Sequence, residues 1–167
     1  NTAKSVGIVA AMLAFSPVVV VFMFLVARAL MIAPITGVEP QSLFGEMGTA
    51  ASYSVPVFVL ATILVGFGIR ERLPLHAFSA GLLLNLASTG AFLIAVATAG
   101  RSLDGFAWIQ VAQVNAIVTA VFTLLWNLFW VVGRRGQQLP KLLLTQLAFG
   151  ICLCVSTLAP AMVLLII

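Results

Sequence analysis

The sequence has very little charge. Only 7% of its 167 residues are Asp, Glu, Lys or Arg, whereas 63% are hydrophobic, and the mean hydropathy is +1.23. A soluble domain of this length needs far more charge to cover its surface. A chain this apolar is stable when the hydrocarbon of a bilayer surrounds it. The shortage of charge therefore excludes an ordinary soluble domain and predicts an integral membrane protein.

Acidic residues and histidines are scarcer still. There are four carboxylates, all in segments between the hydrophobic runs, and a single histidine, His76. Proton-coupled transport, intramembrane proteolysis and metal catalysis commonly need ionisable or ligand groups inside the membrane. A haem or quinone site would need another ligand, which only a partner chain could supply. We therefore expect no enzyme activity, no metal site and no cofactor in this chain.

Cysteine is nearly absent, and the familiar catalytic motifs are missing. Cys152 and Cys154 lie about 200° apart around a helix axis, so they cannot easily bridge each other, and there is no second pair to complete a metal site. We interpret them as small packing residues. The eight basic residues form no patch with interleaved aromatics, so the net charge of +4 does not indicate nucleic-acid binding.

Long hydrophobic runs dominate what is present. They last roughly 20 residues or more without alternation, whereas the strands of a membrane barrel alternate over about 10 residues. We therefore predict an all-α integral membrane protein, a single polytopic domain over 1–167 built as a bundle of about five transmembrane helices with short loops. The helices are expected at about 6–33, 51–69, 76–99, 106–132 and 142–167.

Both ends of the sequence are unusual for a complete membrane protein. The chain begins with Asn1, and Ile167 ends a hydrophobic run that has no polar flank. We expect the sequence to be an excerpt of a longer polytopic chain or a processed subunit. An intact mass equal to the 17.6 kDa of this sequence would contradict that expectation.

The basic residues predict an orientation in the membrane. If the runs alternate in direction, Arg28 and Arg101 fall on one side, and six basic residues fall on the other. By the positive-inside rule the N-terminus is cytoplasmic and the C-terminus is outside. Richness in Ala, Val, Leu and Gly, with more Arg than Lys, is typical of a bacterial inner membrane. The six cytoplasmic basic residues are Lys4, Arg70, Arg72, Arg134, Arg135 and Lys141.

Arg28 is the one charged residue that falls inside a predicted span. It lies about one turn before the end of the first hydrophobic run. Long basic side chains at this depth reach up to the headgroups. We expect Arg28 to contact lipid headgroups or to form an ion pair, with Glu39 or Glu46 as partner.

Small and polar residues recur at helical spacing in two runs. Steps of three and four residues place one set on a common helix face, because such residues are neighbours around the axis. Small residues let helix backbones approach closely, and amides form hydrogen bonds across such contacts. We interpret these residues as a helix-packing or polar seam. They are Asn85, Ala87, Ala91 and Ala95 in the third run and Gln113, Ala116, Ala120, Thr123 and Asn127 in the fourth.

These features favour a non-catalytic role. We expect a structural or accessory multi-pass transmembrane subunit that contacts the lipid bilayer and packs against other transmembrane subunits of a larger assembly. The alternative is part of a transporter or channel, in which the seam of the fourth run would form a path for a small uncharged solute. Neither interpretation identifies the partner complex or a substrate.

Overall fold

The computed structural model describes the backbone of residues 2–31, 35, 39, 41–71 and 74–133, and the side chains of residues 16–31, 35, 39, 41–70 and 76–129. The predicted fifth helix, 142–167, lies outside the described residues, and so do Cys152 and Cys154. Four of the five predicted helices can therefore be compared with the structure.

Over these residues the chain is helical and contains no strand, which confirms the all-α prediction for this part. Three segments are long and apolar enough to cross a membrane: Thr49–Arg70, His76–Thr98 and Gly105–Phe129. The described apolar stretch of the first helix, Ser16–Leu30, is shorter. In chain order the helices are α1 (Thr2–Leu30), α2 (Leu43–Glu46), α3 (Thr49–Glu71), α4 (Pro74–Thr98) and α5 (Gly105–Gly133).

The helix boundaries follow local sequence signals. α4 begins at Pro74, two residues before the expected start, because proline is favoured in the first helical turn, where its missing N–H is not needed. α5 begins and ends within one residue of the expected bounds, whereas α1 begins four residues earlier than expected and ends three residues earlier.

The connection between α4 and α5 has a backbone cap at the end of α4 and a side-chain cap at the start of α5. Gly100 has φ +66°, a conformation that favours glycine. The N–H groups of Gly100 and Arg101 donate to the carbonyls of Ala97 and Val96, both at 3.1 Å, which is the Schellman pattern. The Asp104 carboxylate accepts the backbone N–H three residues later at 2.9 Å and caps the start of α5. Six residues are therefore enough to join the two helices.

The short helix α2 falls in a segment that the sequence analysis placed between two spans and did not expect to be helical. Ser42 is its N-cap: the side-chain oxygen accepts the N–H of Gly45 at 3.1 Å. Gly48, with φ +82°, follows it and leads into α3. A serine before a four-residue turn is a weak signal in sequence, which explains why the element was missed.

The helices group into two compact units, which share α3 and α4. Of the described residues, the first contains 2–31, 35, 39, 41–60 and 90–102. In its core α1 packs against α4 at Gly90: a Cβ added there would lie 2.3 Å from Phe22 Cζ and 2.7 Å from Val26 Cγ2. Because Gly90 has no side chain, Phe22 and Val26 pack directly against the backbone of α4, and a larger residue would displace them.

Within the described part of the chain, the second unit contains residues 61–71, 74–89 and 103–133. Its core brings small residues of α4, Ala77 and Ala80, against two large rings of α5, Phe122 and Trp126. The aromatic-belt rule places tryptophans near helix ends at the headgroups, but Trp126 is only 4% exposed and packs between helices. It lies on the buried face of α5, which explains its position.

Candidate functional site

A polar cluster lies between α4 and α5 within the second unit. Asn115 Nδ2 donates to Thr89 Oγ1 at 2.6 Å, and Thr119 Oγ1 donates to Asn85 Oδ1 at 3.2 Å. Asn85, Asn115 and Thr119 are buried. We call these four residues the amide–threonine cluster. Its two hydrogen bonds join the helices side chain to side chain.

Each amide of the cluster also bonds to its own helix. Asn85 Nδ2 donates to the Gly81 carbonyl at 3.0 Å, and Asn115 Nδ2 donates to the Val111 carbonyl at 2.9 Å. A buried polar group without a partner is strongly unfavourable in an apolar environment. Here each amide forms one hydrogen bond with a carbonyl of its own helix and one with a threonine of the neighbouring helix. The cluster contains no titratable group, so its geometry suits helix association rather than proton transfer.

The spacing of residues along α5 explains why Asn115 and Thr119 are buried. At about 100° per residue, six buried side chains spaced by three and four share an arc of roughly 120°. Two of the six are polar and meet the polar residues of α4, while the others pack in the apolar core. The stripe consists of Ala107, Val111, Asn115, Thr119, Phe122 and Trp126.

The predicted seam of α5 lies on a different side of the helix. Its centre is about 130° from the centre of the buried stripe. Gln113, Ala116 and Ala120 are exposed, whereas Thr123 and Asn127 are partly buried. Asn127 Nδ2 donates to the Thr123 carbonyl at 2.8 Å. Thr123 Oγ1 is buried and has no hydrogen-bond partner within the described part of the chain.

The alanines predicted to form a seam on α4 are buried to different degrees. Ala87 is buried, Ala91 is partly buried and Ala95 is exposed. Residues four apart drift by about 40° around a helix at each step, so the face leaves the core over the two steps from Ala87 to Ala95. Asn85, predicted with them, belongs to the amide–threonine cluster.

Arg28 lies in the last turn of α1 and is partly buried. A cation there interacts favourably with the carbonyl end of the helix. The expected partners of Arg28, Glu39 and Glu46, are both exposed. The expectation of a headgroup contact or an ion pair stays a prediction.

The predicted seam contains Asn85 but not Thr89, Asn115 or Thr119. The available signal is the recurrence of large apolar residues on one face of α5. Val111, Phe122 and Trp126 mark the buried face of α5, and Asn115 lies in the middle of it. That signal is weak, because the exposed residues Ile117, Val121 and Leu124 make another face of α5 more apolar still.

Among the residues that the structure describes, no group of three or more His, Cys, Asp or Glu side chains could hold a metal ion. Comparison with protein-family models, with curated proteins and with solved structures finds no match. The geometry of the helices is therefore the basis for a functional proposal.

Proposed function

We propose that this protein is a structural or accessory multi-pass transmembrane subunit that packs against helices of other chains in a larger membrane assembly. The supporting observation is the division of the exposed surface of α5 into two sides. One side carries the small and polar residues Gln113, Ala116 and Ala120 together with Ile109, and the adjoining side carries large apolar residues, with Gln110 partly buried among them, namely Phe106, Ile117, Val121, Leu124, Leu125 and Leu128.

The two sides suit different neighbours. Large apolar side chains are well solvated by lipid chains. A glutamine amide in hydrocarbon has no partner there, and its exposure to lipid is unfavourable. The alanines beside Gln113 let another helix approach closely, and a polar group on that helix can bond the amide. A helix of another subunit meets both requirements.

A transporter or channel is the second candidate. In that case the side of α5 with Gln113, Ala116 and Ala120 would face water, which would solvate the Gln113 amide directly. The buried Thr123 Oγ1 lies on the edge of the same face and has no hydrogen-bond partner in the described residues. Residues of this type could line a path for a small uncharged solute.

The proposal includes a membrane placement. We propose five transmembrane helices in a bacterial inner membrane, with the N-terminus cytoplasmic, the C-terminus outside and no catalytic centre in the chain. Three described segments of sufficient length and apolar character support a transmembrane location. The distribution of basic residues supports the orientation.

Added bulk on α5 tests the accessory role. Ala120→Leu should release this chain from its assembly, because a larger side chain prevents close helix approach. Val121→Phe, on the side facing lipid, should leave the particle intact. The measurement is the size and chain composition of the particle after gentle detergent extraction, with an absorption spectrum to detect pigments brought by partners.

Two results would contradict the accessory role. One is a particle that contains only this chain and keeps its size in Ala120→Leu. The other is rapid reaction of Gln113→Cys with a water-soluble thiol reagent, measured in membranes after replacing Cys152 and Cys154 with serine. Such labelling would favour the transporter or channel, whereas protection favours a packed helix.

A further inference from the structure

A short turn between α1 and α3 exposes three large apolar side chains. Leu43 is 71% exposed, Phe44 50% and Met47 44%. At about 100° per residue the three share an arc of roughly 100°, and Glu46 lies outside that arc, about 60° from Leu43. The turn is therefore amphipathic, although it is only slightly longer than one helical turn. We call residues 41–48 the interhelical turn.

The interhelical turn is held by its own hydrogen bonds. Ser42 Oγ accepts the N–H of Gly45 at 3.1 Å and donates to the carbonyl of Glu39 at 2.7 Å. The Gly48 N–H donates to the Gly45 carbonyl at 3.1 Å. These bonds fix the backbone, so the apolar side chains are presented by a preformed structure. Anchoring such a structure loses less conformational entropy than ordering a flexible loop.

Ser52 ties the interhelical turn to the start of a membrane-spanning segment. Its hydroxyl donates to the carbonyls of Phe44 and Gly48, the second at 2.9 Å. Ser52 is buried in the first turn of α3, whose candidate span begins at Thr49. The position of the turn along the membrane normal is thus linked to the position at which α3 enters the hydrocarbon.

We propose that Leu43, Phe44 and Met47 anchor the interhelical turn in the interfacial layer of the bilayer, between the headgroups and the acyl chains. This inference rests on the transmembrane placement proposed for α3. An apolar face at a membrane boundary buries about 5–10 Å into that layer. Glu39 and Glu46 are exposed and stay on the water side. The chemistry of the partner is that of a lipid surface.

Spin labels at single cysteines test the depth of the turn. The full chain, with Cys152 and Cys154 replaced by serine, is reconstituted in vesicles of phosphatidylcholine and phosphatidylglycerol. Collision of each label with oxygen, which concentrates in hydrocarbon, is compared with collision with a water-soluble nickel complex. The test labels replace Leu43, Phe44 and Met47, and Glu46 is the matched control. Exposed Val59, within the span, and exposed Ser102, in the α4–α5 connection, are the references.

The expected oxygen-to-nickel ratio at the three apolar positions lies between the ratios at Val59 and Ser102. It is several-fold higher than the ratio at Glu46. Ratios equal to that of Ser102 would place the turn in water and overturn the inference. Exclusion of both probes would mean that protein covers the turn and would also overturn it. If Val59 itself behaves like Ser102, the transmembrane placement of α3 fails, which is a separate and recognisable result.

A pair of serine variants tests the link to α3. Ser52→Ala removes the hydroxyl bonds to the Phe44 and Gly48 carbonyls and keeps the backbone bond from its N–H to Gly48, so the bond to Phe44 is the link that it breaks. Ser54 bonds only carbonyls of its own helix, those of Ala50 and Ala51. With a label replacing Phe44, Ser52→Ala should broaden the depth distribution and lower the oxygen-to-nickel ratio. Ser54→Ala should leave both unchanged. Equal effects of the two variants would overturn the role of Ser52.

Discussion

Asn85 and Thr119 show how few polar groups hold α4 and α5 together in their unit. Their hydrogen bond, 3.2 Å long, is buried between two apolar helices. Measured bonds of this kind in membrane proteins contribute about 0.6 kcal/mol on average, with a maximum near 1.7. We predict a coupling energy of about 0.5–1.5 kcal/mol between Asn85→Ala and Thr119→Val. A double-mutant cycle on reversible unfolding in mixed detergent micelles measures it.

The control for that cycle pairs Asn85 with Asn127, whose hydrogen bond stays within its own helix. Asn127 donates to the carbonyl of Thr123, one turn earlier in α5. Asn127→Ala combined with Asn85→Ala should show additive effects, since the two residues do not share a hydrogen bond. A coupling energy near zero between Asn85 and Thr119 would mean that their hydrogen bond does not measurably stabilise the protein.

Residue identity alone did not reveal which amide is buried. Gln113 and Asn115 are similar in chemistry and only two positions apart, yet Gln113 is exposed and Asn115 buried. Side chains two positions apart on a helix differ by about 200° in direction. The rotation of α5 about its axis therefore decides which of the two amides is buried. That choice depends on what packs against α5, which local sequence does not encode.

At the scale of elements, the contact of α1 with α4 depends on Gly90. We predict that Gly90→Ala destabilises the protein by about 1–3 kcal/mol, because the new methyl group would overlap Phe22 and Val26. Thermal unfolding in detergent, followed by helix content, measures the loss. Gly66→Ala, in α3, is the matched control: nothing lies within 4 Å of its added Cβ, so it should be neutral or stabilising by about 0.5–1 kcal/mol.

A second substitution separates crowding from other effects of Gly90→Ala. Phe22→Leu removes the ring that the methyl group would meet, so it should recover part of the stability when combined with Gly90→Ala. If Gly90→Ala and Gly66→Ala behave alike, close packing at Gly90 is not important for stability.

The long helices could be predicted from the sequence because each corresponds to a long hydrophobic run. Hydrophobic runs of roughly 20 residues or more place α3, α4 and α5 within a residue or two of their observed bounds. α2 has only four residues, and its existence depends on the Ser42 cap and on the bond from Ser52. A bond between separate elements leaves no periodic pattern to detect.

At the scale of the whole molecule, the charge distribution predicts the sides of the membrane. The residues at the end of α3 should face the cytoplasm and those between α4 and α5 should face outward. We predict that Ser102→Cys reacts with a membrane-impermeant thiol reagent on intact cells, whereas Glu71→Cys reacts only after the membrane is opened. Both variants are made without Cys152 and Cys154. The reverse pattern would contradict the proposed orientation.

The amide–threonine cluster also has a consequence for the insertion of the chain into the membrane during synthesis. Asn85 and Asn115 each carry an amide into a span that emerges from the ribosome as a separate hydrophobic segment. In either segment alone the amide keeps the bond to its own helix but loses its threonine partner, which disfavours partition from the insertion channel into lipid. Because the two amides meet threonines of the opposite helix, the pair enters the lipid with less difficulty than its halves. Biogenesis would then proceed by release of a helical hairpin, with the later segment completing insertion of the earlier one.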